Sequence, residues 1–422
     1  MTPPQRWHNV GPAAVSYSPA LPYDASISME CQMDILYRIN RLFMILAMLL
    51  YVPLTLAVSA ALLLGTYLLI MGVIGWLPKI HATPRGMGVI LLFVVFISIS
   101  AAFAALLLLL GLFKLFTRLR SEPAYGVMLS PQYNKPFFEL LDRICKKLRV
   151  RPPEQCYLSP FSEMSISDRT VTMENGRVRK NVRTLVVGAG LLIHIRIDEL
   201  TTILCHEMAH AKAGDTKMCW WACRFNYALA SSIYAQAEEE SESEGNTAVN
   251  TAVRIGLTAY YYLFGLMYAA DERWRELRAD RMAAKLCGPQ NLRNALIKTH
   301  LAIYLPELSI ESLLWEYCQA ECSMDDLYQE YQRRWEQLPS DSIAKAENQM
   351  FIDRHSLYDS HPCLTTRIRG ISRIEAKEVR GDKPATRLFS NWERLAAMMT
   401  EVLMRRGRFL HRGYMAQILA GR

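Results

Sequence analysis

Two long stretches of this chain, Leu42 to Leu77 and Gly86 to Phe113, carry no charged side chain. Each exceeds the roughly 20 residues a helix needs to cross a bilayer core, so they read as membrane spans rather than parts of a water-soluble core. The first is long enough to tilt or to project beyond the hydrocarbon, and Pro53 is placed to kink it. About forty mostly polar residues precede it, which disfavours a cleaved signal peptide.

Basic residues beside the spans set an orientation. Arg38 and Arg41 precede the first span, and Lys114, Arg118 and Arg120 follow the second, whereas the connection from Pro78 to Arg85 carries Lys79 and Arg85 alone. Positive charge favours the cytoplasmic side, so both termini are expected there, joined by a small external hairpin. The expected setting is a multi-pass protein with two spans in a bacterial inner membrane, its soluble part facing the cytoplasm. A net charge of +8 suits that lipid surface better than nucleic acid, for which the chain has no motif. Ten cysteines at scattered spacings give no disulfide framework, and free thiols fit a reducing compartment.

Chemistry enters at Asp198 to Gly214, which contains His206-Glu207-x-x-His210. Leu200, Ile203, Leu204, Met208 and Ala209 supply a helical period, Asp198 is a good N-cap and Gly214 a plausible stop. Residues four apart share one helix face, so the two imidazoles point at one spot and can grip one metal ion. Glu207 is rotated by roughly 100° from His206 and addresses a water beside the metal rather than the metal itself. From this composition the pattern arises by chance in about one such chain in a hundred, so it needs support from elsewhere. A catalytic metal of this kind takes three protein ligands. The helix-forming segment Asp271 to Leu286, stopped by Gly288-Pro289, offers Glu276 and Asp280 on one face. Read alone, those carboxylates are surface ion-pair partners of Arg275, Arg278 or Arg281.

Taken together, His206-Glu207-x-x-His210 with the following Asp215, Glu276-Leu-Arg-Ala-Asp280-Arg281 and His361-Pro362-x-x-x-x-Arg367 resemble the three signature blocks of the HtpX-like membrane metallopeptidases, family forty-eight, of gluzincin type. The resemblance runs from about Pro136 to Ile374. It implies a zincin fold holding one Zn2+ per chain through His206, His210 and Glu276, with Glu207 as catalytic base. It also implies roles around substrate or ligands for Asp280, His361 and Arg367, with His361 stabilising the oxyanion. The substrates implied are proteins or peptides, cleaved internally, in processing or quality control of membrane proteins. Relatives often carry an Asn-Ala pair on a substrate-aligning edge strand. The corresponding stretch here is Phe161 to Ile166, which lacks it.

The expected fold is therefore α+β and mostly helical: a zincin-like domain with a small sheet, preceded by a two-helix transmembrane hairpin. The expected divisions are an N-terminal segment 1–41, spans 42–117, a metallopeptidase domain 118–374 and a basic tail 375–422. Asn134 to Leu148 reads as an amphipathic helix, and Tyr157 to Ile166, Thr170 to Met173 and Arg183 to Val187 as strands, with a turn at Glu174-Asn175-Gly176. Met218 to Ala235 and Ala252 to Ala270 are apolar but interrupted by Arg224, Asn226 and Arg254, so they are expected to pack on the catalytic domain or dip into the interface. The acidic run from Glu238 to Glu244 reads as a solvated loop, and Tyr328, Tyr331 and Trp335 as a packing face. A competing class is a proteolytically silent, membrane-tethered binding or regulatory protein of the same fold. Intact ligand and base positions speak against it, and two spans are too few for the membrane chamber of a prenyl-protein protease.

Overall fold

The computed structural model describes residues 23–76, 84–116, 126–172, 178–213, 215–242, 248–305, 309–320, 324–352 and 356–405. The turn at Glu174-Asn175-Gly176, the stop at Gly214, and Lys79, Arg118 and Arg120 lie outside them.

The spans are α1 (Tyr23–Trp76) and α2 (Pro84–Phe116), packed on each other. Helix α1 begins well before Leu42, so the stretch ahead of the apolar run continues the same helix. Only 22% and 17% of the most apolar windows are buried. The core helix of a soluble protein would bury most of such a surface; here Leu42, Phe43, Leu92 and Phe93 face outward, as lipid contact requires.

Two later helices join them. Helices α6 (Asp215–Glu242) and α7 (Ala248–Cys287), expected to pack on the soluble domain or dip into the interface, pack along α1 and α2 and also touch the helix that carries the histidine pair. The reason lies in the side chains. Tyr51, Phe225 and Phe264 enter one buried cluster with Leu108 and Leu112. The Tyr260 hydroxyl donates to the Ala47 carbonyl at 2.5 Å, and Asn40 Nδ2 to the Met267 carbonyl at 2.9 Å. Helix α7 does not stop at the end of its apolar stretch. It runs for 40 residues in all, about 60 Å at 1.5 Å per residue, and its second half enters the soluble domain.

That domain is built on a four-stranded sheet of order β1-β2-β4-β3, comprising β1 (Val127–Met128), β2 (Gln155–Ser159), β3 (Met164–Thr172) and β4 (Val178–Gly188). Strands β2 and β4 run parallel, and β3 is an antiparallel edge strand. The stretch Tyr157–Ile166, expected as one strand, is therefore two strands on opposite sides of β4. Its crossover turns at Pro160, which has no N–H for a ladder, and passes directly over Gly188. A Cβ there would lie 2.5 Å from the carbonyl oxygens of Phe161 and Glu163. Helix α3 (Lys135–Leu148) packs on the helix that carries the histidine pair and buries Phe137, Leu140, Leu141, Ile144 and Leu148, the face its periodicity predicts.

After the single turn α4 (Ala189–Leu192) comes α5 (Ile197–Ala213), the helix with the histidine pair. Asp198 lies inside its first turn rather than at the N-cap, and accepts from Arg196 and the Glu199 N–H. The cap is made by Glu199, whose carboxylate accepts the Arg196 N–H at 2.7 Å and Lys298 Nζ at 2.8 Å. Gly288, at φ 98°, ends α7 and Pro289 opens α8 (Pro289–Tyr304). Helices α9 (Ile310–Gln319), α10 (Leu327–Glu336), α11 (Ser340–Ile352), α12 (Leu364–Ile371) and a last helix, α13 (392–405), complete the domain. Tyr328, Tyr331 and Trp335 are buried in its core.

The division at 375 is not a structural one. Asp198 and Ile197 donate backbone hydrogen bonds to Gly381 and Lys383, and Val379 donates to Cys287. Glu378 caps α8 by accepting from Gln290 and Asn291, while Phe389, Met399 and Leu403 are core residues. The described part of the expected tail is thus integral to the domain, because its apolar side chains close the core over α3 and α5. The tail arginines beyond Arg405 lie outside the described residues.

The buried Glu199 sets the entry of α5, and its loss strands Lys298 and the Arg196 N–H. Glu199→Ala is expected to cost about 3 kcal/mol, and Glu199→Gln less because an acceptor remains. Thermal unfolding of the detergent-solubilised chain measures both, and equal melting temperatures would contradict the assignment.

Candidate metal centre

Helical geometry brings the first donors together. His206 and His210, one turn apart on α5, place their Nε2 atoms 3.2 Å from each other. Glu276 reaches them from α7, with Oε2 at 3.5 Å from His206 Nε2 and Oε1 at 3.3 Å from His210 Nε2. All three ligand atoms fall within 4.8 Å of one another. Donors about 2.1 Å from a tetrahedral ion stand about 3.4 Å apart, so this spacing suits a small divalent cation of the zinc class. The donor set, two imidazoles and a carboxylate, suits it as well.

The surroundings hold these groups in orientation and charge. Asp280, one turn beyond Glu276, is fully buried and stands 3.0 Å from His206 Nδ1. Its two oxygens accept a bidentate pair from Arg367 on α12, Nε at 2.8 Å and Nη2 at 2.7 Å. Burial would raise the Asp280 carboxyl, but Arg367 and then His206 bring it down to about 2. Burial likewise opposes the charged form of His206, yet Asp280 and Glu276 carry its imidazole up to about 10. Glu276, despite burial, is held far below the ordinary carboxylate range by His206, His210 and His361. The pocket therefore keeps its carboxylates anionic and attracts positive charge, which a bound metal ion would supply in place of protons.

Glu207, beside the pair, does not enter the donor cluster. Burial pushes its carboxyl up, partly offset by His206 and His210, and it accepts a backbone hydrogen bond from Ile166 of the edge strand. Contact with Ile166 was not foreseeable from the motif, because it depends on β3 lying against α5. The stretch expected at that edge, Phe161 to Ile166, contributes only its last residues, Phe161 to Glu163 being the crossover.

The third block splits in two. His361 stands 3.6 Å from Glu276 through Nδ1 while 66% of its side chain remains exposed, so it is open to a bound molecule. For Arg367 the resemblance leaves open a place behind the ligands or one facing substrate. It is buried, 8% exposed, with Asp280 and Glu276 on its guanidinium, which leaves it holding the carboxylates. The side chain of Asp215 lies outside the described set.

Removing the Asp280 charge should loosen His206 without deleting a donor. Asp280→Asn is expected to weaken zinc binding by about 10- to 100-fold in competition with a chelating dye. Unaltered affinity would show that Asp280 does not orient the imidazole.

Residues 175–375 match the model for peptidase family M48. The chain is 29% identical over 128 residues to a protein named Protease HtpX from Shewanella halifaxensis, a match covering 28% of this chain and 45% of that protein. It is 24% identical over 210 residues to Protease HtpX from Chromohalobacter salexigens, covering 47% and 61%. It is 30% identical over 143 residues to Protease HtpX from Buchnera aphidicola, covering 30% and 48%. The chain thus spans about half the length of the curated relatives it matches. The His-Glu-x-x-His helix, the Glu276 helix and the Arg367 helix all lie inside the matched region, so the part of the chain that is similar to peptidase family M48 and to the HtpX proteases is the part that holds the site.

Proposed function

We propose that this protein is a membrane-anchored, zinc-dependent endopeptidase that hydrolyses peptide bonds within protein substrates. The observation that carries the reading is the convergence of His206, His210 and Glu276 beside a Glu207 that is kept out of the cluster. One zinc ion per chain would be held by those three donors and, when bound, supplies Lewis acidity that brings the pKa of a water toward about 7.

The chain's own groups divide the remaining work. Glu207, raised by burial toward the range of a usable base, removes the proton of the attacking water and returns it to the leaving amine. His361, exposed beside Glu276, donates to the oxygen that becomes negative as the peptide carbonyl is attacked. Arg367 and Asp280 hold His206 and Glu276 against movement during this charge transfer. An extended substrate adds as a strand to the outer edge of β3, next to the base.

The orientation is cytoplasmic. Tyr37 on α1 lies between Arg41 and Arg278, each guanidinium 5.7 Å from its ring, and Trp274 is 6.5 Å away. The catalytic half of α7 therefore meets α1 at the end that carries Arg38 and Arg41, the end that positive charge directs inward. Because α7 runs from the spans to the metal donors, membrane proteins are the substrates this arrangement suits, in processing or quality control.

Glu207→Gln is expected to abolish cleavage of casein by the purified, zinc-loaded chain while its zinc content stays near parental; His206→Ala should instead lose the metal. A Gln variant with parental turnover would remove Glu207 from its role. For His361→Ala, kcat per bound zinc should drop by about 10² to 10³ with little change in KM. Unchanged turnover per zinc would make His361 a structural loop residue.

A further inference from the structure

His361 belongs to no helix or strand, yet an oxyanion donor must be fixed to within a fraction of an ångström. On its C-terminal side the anchor is evident, since α12 is tied to α7 through Arg367 and Asp280. On its N-terminal side stands the turn Ser356–Asp359. This turn closes itself: the Asp359 N–H donates to the Ser356 carbonyl at 3.2 Å, and the Ser356 N–H to Asp359 Oδ2 at 2.6 Å. A turn so closed is locally ordered, but nothing in it fixes where the turn lies relative to the metal donors.

Arg273 supplies that link. Its Nη1 donates to both the Leu357 and the Asp359 carbonyl at 2.8 Å. On α7, Arg273, Glu276 and Asp280 are three and four residues apart and so share one face, which is the face the segment 356–367 covers. Two to three turns back along the same helix, the Tyr358 ring packs across Gly265, where a Cβ would be 3.6 Å from it, and edge-on to Tyr262 at 5.7 Å. His361 is thus suspended between two arginine clamps that both close on α7, Arg273 of α7 itself and Arg367 of α12 through Asp280. One lies a turn before the Glu276 it faces and the other a turn after.

We propose that Arg273 is a positioning residue for the reaction: by gathering the Leu357 and Asp359 carbonyls onto α7, it fixes His361 over Glu276. The proposal rests on the role given to His361 above. Among the described residues Arg273 hydrogen-bonds the loop carbonyls and not the metal donors, so its effect on the reaction passes through the loop. Lysine at this position keeps a cation able to donate to two carbonyls, whereas alanine removes the clamp.

The test uses the full chain in detergent, loaded with zinc, as Arg273→Ala, Arg273→Lys, His361→Ala and the Arg273→Ala/His361→Ala double variant. Arg273→Ala is expected to lower kcat on casein about tenfold with zinc content and KM unchanged, and Arg273→Lys to recover most of that loss. In the His361→Ala background the same alanine should change kcat by less than about twofold, because its effect passes through His361. Amide hydrogen exchange should rise about tenfold across 357–361 in Arg273→Ala and stay parental in α5 and the catalytic half of α7. Unaltered exchange in that loop overturns the clamp whether or not the chain cleaves protein. Parental kcat in Arg273→Ala, an undiminished effect in the double variant, or a parallel loss of zinc each overturns the positioning role. If exchange rises as expected but the parental protein cleaves nothing, the peptidase reading fails while the clamp stands.

Discussion

The buried carboxylate of Asp280 is the contact on which the rest of the candidate metal centre depends. It lies on α7, receives both arms of Arg367 from α12 and faces His206 on α5, so one side chain ties three helices that are remote in sequence. Removing a carboxylate and a guanidinium from water is costly, and a buried pair is tolerated only when its geometry and hydrogen bonding are nearly complete. That requirement fixes the crossing of α5 and α7. The crossing in turn sets where His206, His210 and Glu276 meet. The centre's preference for a cation follows from the same arrangement, because one guanidinium, Arg367, is shared by two carboxylates, Asp280 and Glu276, and leaves a net negative charge facing the two imidazoles.

Helix α7 connects this arrangement to the two apolar helices. Its first half shares a buried aromatic cluster with α1, α2 and α6, and its second half holds Glu276, Asp280 and the contacts to the loop before α12. A continuous helix is stiff over this length, so the metal centre keeps a fixed distance from the bilayer rather than hanging from a linker. The catalytic domain is stabilised separately by its own core, which runs from α3 through the sheet and α5 to α13. The two apolar regions thus meet at α7, which joins the stretch Ala252 to Ala270 and the helix-forming segment Asp271 to Leu286 into one helix from Ala248.

Much of this was legible in the residues, and for local reasons. Uncharged length marked α1 and α2; spacing of four marked the His206 and His210 pair; Gly288-Pro289 marked the end of α7. Each of these signals is carried by a few consecutive residues, within which backbone geometry alone settles the outcome. The errors arose where a segment's partner lay far away. Tyr157–Ile166 alternates like one strand, yet its halves bond to opposite edges of β4. Residues from Glu375 onward look like a basic tail because the charges dominate their composition, while Phe389, Met399 and Leu403 go into the core.

By itself the sequence determined the two apolar helices, the helical face shared by His206 and His210, and the carboxylates of the Glu276 helix, since period and length follow from the covalent chain. The tertiary structure alone decided that Arg367 is buried against Asp280 while His361 stays open, although both belong to one short motif. It also decided that Glu207 meets the backbone of Ile166, and that Arg273 grips the turn before His361. Those outcomes depend on how α5, α7, α12 and the edge strand pack, and burial, which sets the charge and reach of every ionisable group in the centre, exists only once they have packed.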